Sequence, residues 1–358
     1  LGWRVPPWAS VARSATALGG QCHRALAEQA ARYGAMAWFL FYLWTSVVAV
    51  ALARVRRGPL RPTWTFGYEV VTRAQKRFHE RVARLSPVEE RRAWGSLRSS
   101  GPSLKLVRWS RSILGRVEAW TILPRDVPRP ERVVLYLHGG GFIYGSERSH
   151  GELAARLALS ARARLVFPLY RLAPEHPFPA ALEDALVAYR ALLDGGVSPS
   201  SIVIAGDSAG GNLTLSLLLA LRDAGESLPT AAVLISPWVD FTQMGGSMQT
   251  NEPFDWASPW MFERWEREYL KGHDASDPRA SPALADLSGL PPLLIQIGTA
   301  ELLHDQVLAL ADRARAAGVE VTLEAFPDLV HLWHTLTPLF PRFQEGMDRI
   351  GQFVSKHA

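Results

Sequence analysis

Gly206-Asp207-Ser208-Ala209-Gly210-Gly211 follows the apolar run Ile202–Ala205 and opens a helical pattern over 209–223. A serine on such a strand-to-helix turn is held out above a sheet, and the flanking glycines leave room for a strained backbone. The helix start also sets main-chain N–H groups beside the serine hydroxyl. Upstream, the apolar run Val133–Leu137 ends in His138-Gly139-Gly140-Gly141-Phe142. Successive glycines let main-chain donors approach a developing oxyanion with no side chain in the way. Together the two motifs predict nucleophilic acyl transfer at the ends of two strands.

The pattern continues on both sides. Apolar runs at Val133–Leu137, Leu165–Leu169, Ile202–Ala205, Ala232–Ile235, Leu293–Ile297 and Val321–Ala325 suit buried strands. Helical patterns fill 151–160, 180–193, 209–223, 305–317 and 341–356. This alternation, from about residue 117, predicts an α/β fold with a mostly parallel central sheet flanked by helices on both faces.

The two glycine motifs, with Tyr170-Arg171-Leu172-Ala173-Pro174-Glu175-His176-Pro177-Phe178-Pro179-Ala180 between them, resemble the hormone-sensitive-lipase-like family of α/β-hydrolases. The resemblance covers roughly residues 65–358. It implies an α/β-hydrolase core, a helical cap supplied in part by the amino-terminal region, and a serine esterase that needs no cofactor and no metal. Membrane-anchored members, such as arylacetamide deacetylase and steryl acetyl hydrolase, carry an apolar segment before the cap as this chain does.

The partners of Ser208 follow from the order serine, acid, histidine. After the last strand the chain reads Phe326-Pro327-Asp328-Leu329-Val330-His331-Leu332-Trp333-His334, and the family pattern puts the base at His331, with His334 as competitor. After Leu293–Ile297 it reads Gly298-Thr299-Ala300-Glu301-Leu302-Leu303-His304-Asp305. Aligning Asp305 with the last aspartate of the family's D-P-L-R-D puts Glu301 at the acid position, a departure from the common aspartate; Asp305 is the alternative acid. Gly140, Gly141 and Ala209 are the expected oxyanion donors. His138 and Gly139 are expected to support the loop, and Asp207 and Glu175 to brace it.

The 358 residues are a soft prior for two domains or one large one, and 48% hydrophobic against 20% charged excludes a disordered chain. A single cysteine, Cys22, excludes an intrachain disulfide framework. Net charge is +5 but divided: residues 1–132 hold 23 Lys/Arg against 8 Asp/Glu, and residues 133–358 hold 16 against 26. No charge falls between Arg32 and Arg54, and Tyr33–Ala53 is predominantly apolar over 21 residues. That length matches a bilayer's hydrocarbon core, so residues 35–53 are expected to form a transmembrane helix touching membrane lipid. Two Lys/Arg precede it within 20 residues and five follow, which predicts a catalytic domain on the cytoplasmic side. Were Met36 the true start, Ala49–Ala53 would offer A-x-A cleavage signals. The basic arm carries no nucleic-acid motif, so no nucleic-acid partner is expected.

The expected organisation is a basic segment 1–34, the apolar helix 35–53, a linker 54–63, cap helices and lead-in 64–116, and a catalytic domain 117–358. Ser86-Pro87-Val88-Glu89 has capping-box form within the lead-in. The segment 238–282 brings Trp238, Phe241, Phe254, Trp256, Trp260, Phe262 and Trp265, as a second part of the cap. These rings form either a wall for a lipophilic ester or the cap's own core. Two rival functions stand beside the esterase: a catalytically silent ligand-binding protein of the same fold, and a deacetylase of aryl amides or sterol acetates. A membrane-associated interaction protein built on the basic arm would show no turnover at all.

Overall fold

The computed structural model describes residues 34–97, 99–127, 130–243 and 246–358. The expected basic segment 1–34 therefore lies, except for Gly34, outside the described residues. Eight strands form one sheet in the order β1-β2-β4-β3-β5-β6-β7-β8. They are β1 (Val107–Leu114), β2 (Val117–Pro124), β3 (Val133–Leu137), β4 (Arg164–Pro168), β5 (Ile202–Asp207), β6 (Ala231–Ile235), β7 (Leu293–Gly298) and β8 (Val321–Phe326). From β4 to β8 every neighbouring pair is parallel; β1 and β2 form an antiparallel edge hairpin.

That hairpin differs from expectation. The sheet begins at Val107, inside the stretch read as lead-in, and the first two strands escaped the periodicity. β1 is buried only at its ends, Val107 and Leu114, and carries Arg108 and Arg111 between them, because an edge strand needs no continuous apolar run. Strands β3 to β7 are buried along almost their whole length because helices cover both faces, whereas β8, the other edge, carries Thr322 and Glu324 and is partly exposed. In β3, Leu135 and Leu137 join one core while Val134 and Tyr136 join the other, the period of two that a strand imposes.

The crossover helices are α4 (Glu147–Ala161), α5 (Ala180–Asp194), α6 (Ala209–Asp223), α9 (His304–Ala316) and α10 (Gln344–His357). Helices α5, α6 and α9 pack on one face; α4 and α10 pack on the other. Ahead of the sheet come α1 (Gly34–Arg57), α2 (Phe66–Val82) and α3 (Pro87–Ser96). Thr65 caps α2, and Ser86 and Glu89 cap α3 reciprocally. Between β6 and β7 lie the short α7 (Ser247–Thr250) and α8 (Pro259–Leu270). Arg264 of α8 reaches Glu90 of α3 at 2.5 Å, and Ser258 bonds Glu80 of α2 at 2.9 Å. These contacts tie together two segments far apart in sequence.

Candidate active site

In open parallel sheets the crevice lies beyond the carboxyl ends of the strands, and four such ends converge here. β5 ends at Asp207, and Ser208 follows with φ 52° and ψ −118°, a sparsely populated conformation for a residue with a side chain. The turn is held by Ser208 N–H donating to Ile235 O at 2.9 Å. The glycines around it make close packing possible. A Cβ on Gly210 would stand 1.9 Å from Leu137 O, and one on Gly206 would stand 2.1 Å from Gly210 O.

Ser208 Oγ lies 3.0 Å from His331 Nε2, and His331 Nδ1 lies 3.0 Å from Glu301 Oε2. His331 follows β8 and Glu301 follows β7, so the chain of contacts crosses three strand ends. Glu301 is fully buried, and its Oε1 accepts from Gly298 N–H at 2.6 Å and Ser236 Oγ at 2.8 Å. Burial pushes its carboxyl above the usual range, while those two donors favour the anion. Burial holds the His331 imidazole below its usual value, with Asp255 and Asp207 acting against the shift. A neutral imidazole is the form that can accept a proton from a hydroxyl.

The competitors lie elsewhere. Asp305 accepts Ser247 N–H at 2.8 Å and lies 3.2 Å from His304 Nδ1. His334 turns away, bonds Gln296 through Nε2 at 2.8 Å and stacks on Trp333.

β3 and β5 are neighbours, so the loop after β3 lies beside the serine. Gly140 and Gly141 line the cavity with Ser208, both at positive φ, and Ala209 opens α6, where the first amides have no acceptor within the helix. A Cβ on Gly140 would meet Tyr144 O at 2.2 Å. Asp207 Oδ1 accepts from Gly139 N–H at 3.0 Å and from Tyr136 Oη at 2.5 Å, which ties the glycine loop to the turn. His138 stacks on Tyr170 and Phe167, with Nδ1 2.7 Å from Gly139 O. Glu175 pairs with Arg91 of α3, which also donates to Ile143 O and Ala173 O.

The cavity above the serine measures about 140 Å³ and is walled by Gln75, His79, Trp94, Tyr144, Trp256, Trp265 and Leu332. Five of the aromatic residues of the insertion divide between two tasks. Trp256 and Trp265 line the cavity, whereas Trp238, Phe241 and Phe262 pack on one another out of solvent. Asp255 is a residue the sequence did not disclose. It is fully buried and accepts the main-chain N–H groups of His331, Leu302 and Trp256 at 3.0, 2.9 and 2.8 Å.

The sheet, the turn and the serine–imidazole–carboxylate contacts define a hydrolase of nucleophilic type. A family model described as alpha/beta hydrolase fold matches residues 134–335. An acetyl-hydrolase of Streptomyces hygroscopicus is 46% identical over 234 residues, 64% of this chain and 77% of that protein. An esterase of Acinetobacter venetianus is 33% identical, over 63% of this chain and 75% of its own length. Among solved structures, an esterase from the bacterial hormone-sensitive lipase family is similar at a TM-score of 0.74 and 39% identity, covering 79% of this chain and 98% of that one. EstE5, soaked with p-nitrophenyl butyrate, is similar at 0.73 and 32%, covering 87% and 98%. The chain belongs to the α/β-hydrolase fold family, among its hormone-sensitive-lipase-like carboxylic ester hydrolases.

Proposed function

We propose that the chain is a serine carboxylesterase that cleaves small lipophilic esters of short-to-medium acyl chains through an acyl-enzyme. The observation that carries it is the pair of 3.0 Å contacts linking Ser208, His331 and Glu301, with Ser208 and His331 on the wall of one cavity and Glu301 buried behind them. His331 Nε2 takes the proton of Ser208 Oγ as that oxygen attacks the ester carbonyl carbon. The resulting oxyanion receives hydrogen bonds from the N–H groups of Gly140, Gly141 and Ala209. Collapse expels the alcohol, protonated by His331, and leaves acyl-Ser208. Water then gives a proton to His331, its oxygen attacks the acyl carbon, and the acid departs as Ser208 regains its proton. Glu301 fixes the imidazole's tautomer and stabilises its charged form.

A cavity of about 140 Å³ lies below the range usual for drug-sized ligands, which supports the short end of the acyl range. The names of two relatives, an acetyl-hydrolase and an esterase soaked with a butyrate ester, agree with that. Membrane attachment through residues 35–53, with the catalytic domain on the cytoplasmic side, belongs to the same proposal, supported by the long apolar α1. The test is hydrolysis of p-nitrophenyl acetate and butyrate by the full chain. Turnover should be present and should fall to background in Ser208→Ala; a folded wild-type chain inert toward both would overturn the proposal.

A further inference from the structure

Helix α1 runs antiparallel along α2, and the pairing extends over most of its length. Arg81 lies 4.0 Å from the centre of the Trp38 ring, Phe39 meets Phe78 edge-on at 5.8 Å, and Arg77 donates to Thr45 Oγ1 at 2.6 Å. Nearer its end, Arg54 and Arg57 both pair with the buried carboxylate of Glu69, at 2.8 and 2.5 Å. Helix α2 is in turn fastened to the catalytic domain, because Tyr68 Oη accepts Val330 N–H at 3.1 Å and Glu80 accepts Ser258 Oγ. The apolar helix is thus strapped lengthwise to the cap.

This arrangement bears on how the helix meets lipid. A crossing α1 would carry Arg77 and Arg81 of α2 to hydrocarbon depth beside Thr45 and Trp38, where charged side chains are costly. The face turned away from α2 tells the complementary story. Leu40, Phe41, Trp44, Val48, Leu52 and Val55 are all exposed, with Trp44 at 67% and Val55 at 88%. No charge interrupts this face from Gly34 to Ala53, along a helix of 24 residues, or about 36 Å. Arg56 and Arg57 close it at one end, both exposed, in the manner of helices that lie in the headgroup boundary of anionic bilayers.

Resting on the membrane attachment proposed above, we infer that α1 lies in the plane of an anionic lipid surface and does not cross it. The exposed stripe enters the acyl boundary, α2 stays on the water side, and both ends of α1 remain on one side of the bilayer. The placement has a catalytic consequence. Gln75 and His79 of α2 line the cavity, so the cavity wall is a single helix away from the lipid-facing stripe. An ester dissolved in the leaflet would reach the cap without first crossing bulk water.

The test uses the full chain with vesicles of phosphatidylcholine alone or with about 30% phosphatidylglycerol, which supplies the negative surface that attracts basic segments. Binding should be stronger with phosphatidylglycerol, and the triple variant Leu40→Asp/Trp44→Asp/Val48→Asp should lose it at least tenfold. Hydrolysis of water-soluble p-nitrophenyl acetate should be unchanged, which separates failure of docking from failure of the esterase. Nitroxide labels at Met36→Cys, Trp44→Cys and Val55→Cys, in a Cys22→Ser background, should report one common shallow depth. A label at 44 deep in the bilayer, with those at 36 and 55 near opposite surfaces, would overturn the inference in favour of a crossing helix. Absence of vesicle binding, with a dimer in solution that the triple variant dissociates, would overturn it in favour of a second copy covering the stripe.

Discussion

Asp255 Oδ1 accepts the main-chain N–H of His331 at 3.0 Å, while its Oδ2 accepts that of Leu302 at 2.9 Å. One buried carboxylate from the segment between β6 and β7 thereby holds both loops that carry His331 and Glu301. Asn at this position offers one acceptor and one NH2 group, so either the His331 or the Leu302 amide would face a donor. An unsatisfied buried group costs about 1–3 kcal/mol, and a shift of ~1 Å in a reacting group can cost ~100-fold in rate. Asp255→Asn should therefore lower both the urea midpoint and kcat. A lowered midpoint with unchanged kcat would show that Asp255 supports the fold without positioning the imidazole.

Glu301 and Asp305 make a second contrast. Glu301 reaches His331 Nδ1, whereas Asp305 caps Ser247 and stands half-exposed at the start of α9. Removing the charge of the residue that orients a catalytic imidazole lowers kcat by as much as ~10⁴-fold in a comparable triad. Glu301→Gln should lower kcat at least 100-fold with little change in KM, an estimate kept below that limit. Asp305→Asn should stay within about threefold of wild type, as expected for a surface substitution. Steady-state kinetics on p-nitrophenyl butyrate decides the ranking, and the reverse order would reassign the acid.

Much of this was readable in advance because the chemistry sits in short local motifs. Ser208 and Gly140 announce themselves through backbone demands that only their neighbours' glycines meet, and strands β3 to β8 through their apolar runs. The edge hairpin β1–β2 was not readable, since Arg108 and Arg111 on a half-exposed strand look like a solvated lead-in. Asp255 was hidden for another reason: its partners lie 47 and 76 residues away in sequence, and no spacing rule connects them. The apolar helix was legible as a segment but not in its packing along α2, because length and composition carry no record of the Arg77 and Arg81 contacts.

The acid limb of the pH profile should report His331. Burial disfavours the imidazolium and lowers the pKa from 6.5, with the Asp255 and Asp207 charges opposing. The neutral form is the working one, so kcat/KM is full above this pKa and lost as pH falls through it. On a non-ionising ester the midpoint should lie below 6.5, the ordinary imidazole value. Asp255→Asn removes a charge that favours the imidazolium and should move the midpoint lower still. A wild-type midpoint above 7, well beyond the ordinary imidazole value, would mean that charge outweighs burial at this histidine.

Trp265 should set the acyl length. Its ring lines the cavity with Ser208 and stands 2.7 Å from where a Cβ on Gly141 would lie, so it closes the space beside the glycine loop. Trp265→Leu opens room on that side without touching Ser208, His331 or Glu301. Each methylene accommodated in an apolar pocket is worth about 1–3 kcal/mol of discrimination, or roughly 10–200-fold. The ratio of kcat/KM for hexanoate over acetate esters should therefore rise at least tenfold in the variant, read across a p-nitrophenyl series. Trp265 Nε1 also lies 3.4 Å from Glu90, so some stability will be lost, but lost stability lowers all esters together and leaves the ratio intact. An unchanged ratio in a folded variant would move the limit on chain length to Trp256 or Trp94 on the other walls of the cavity.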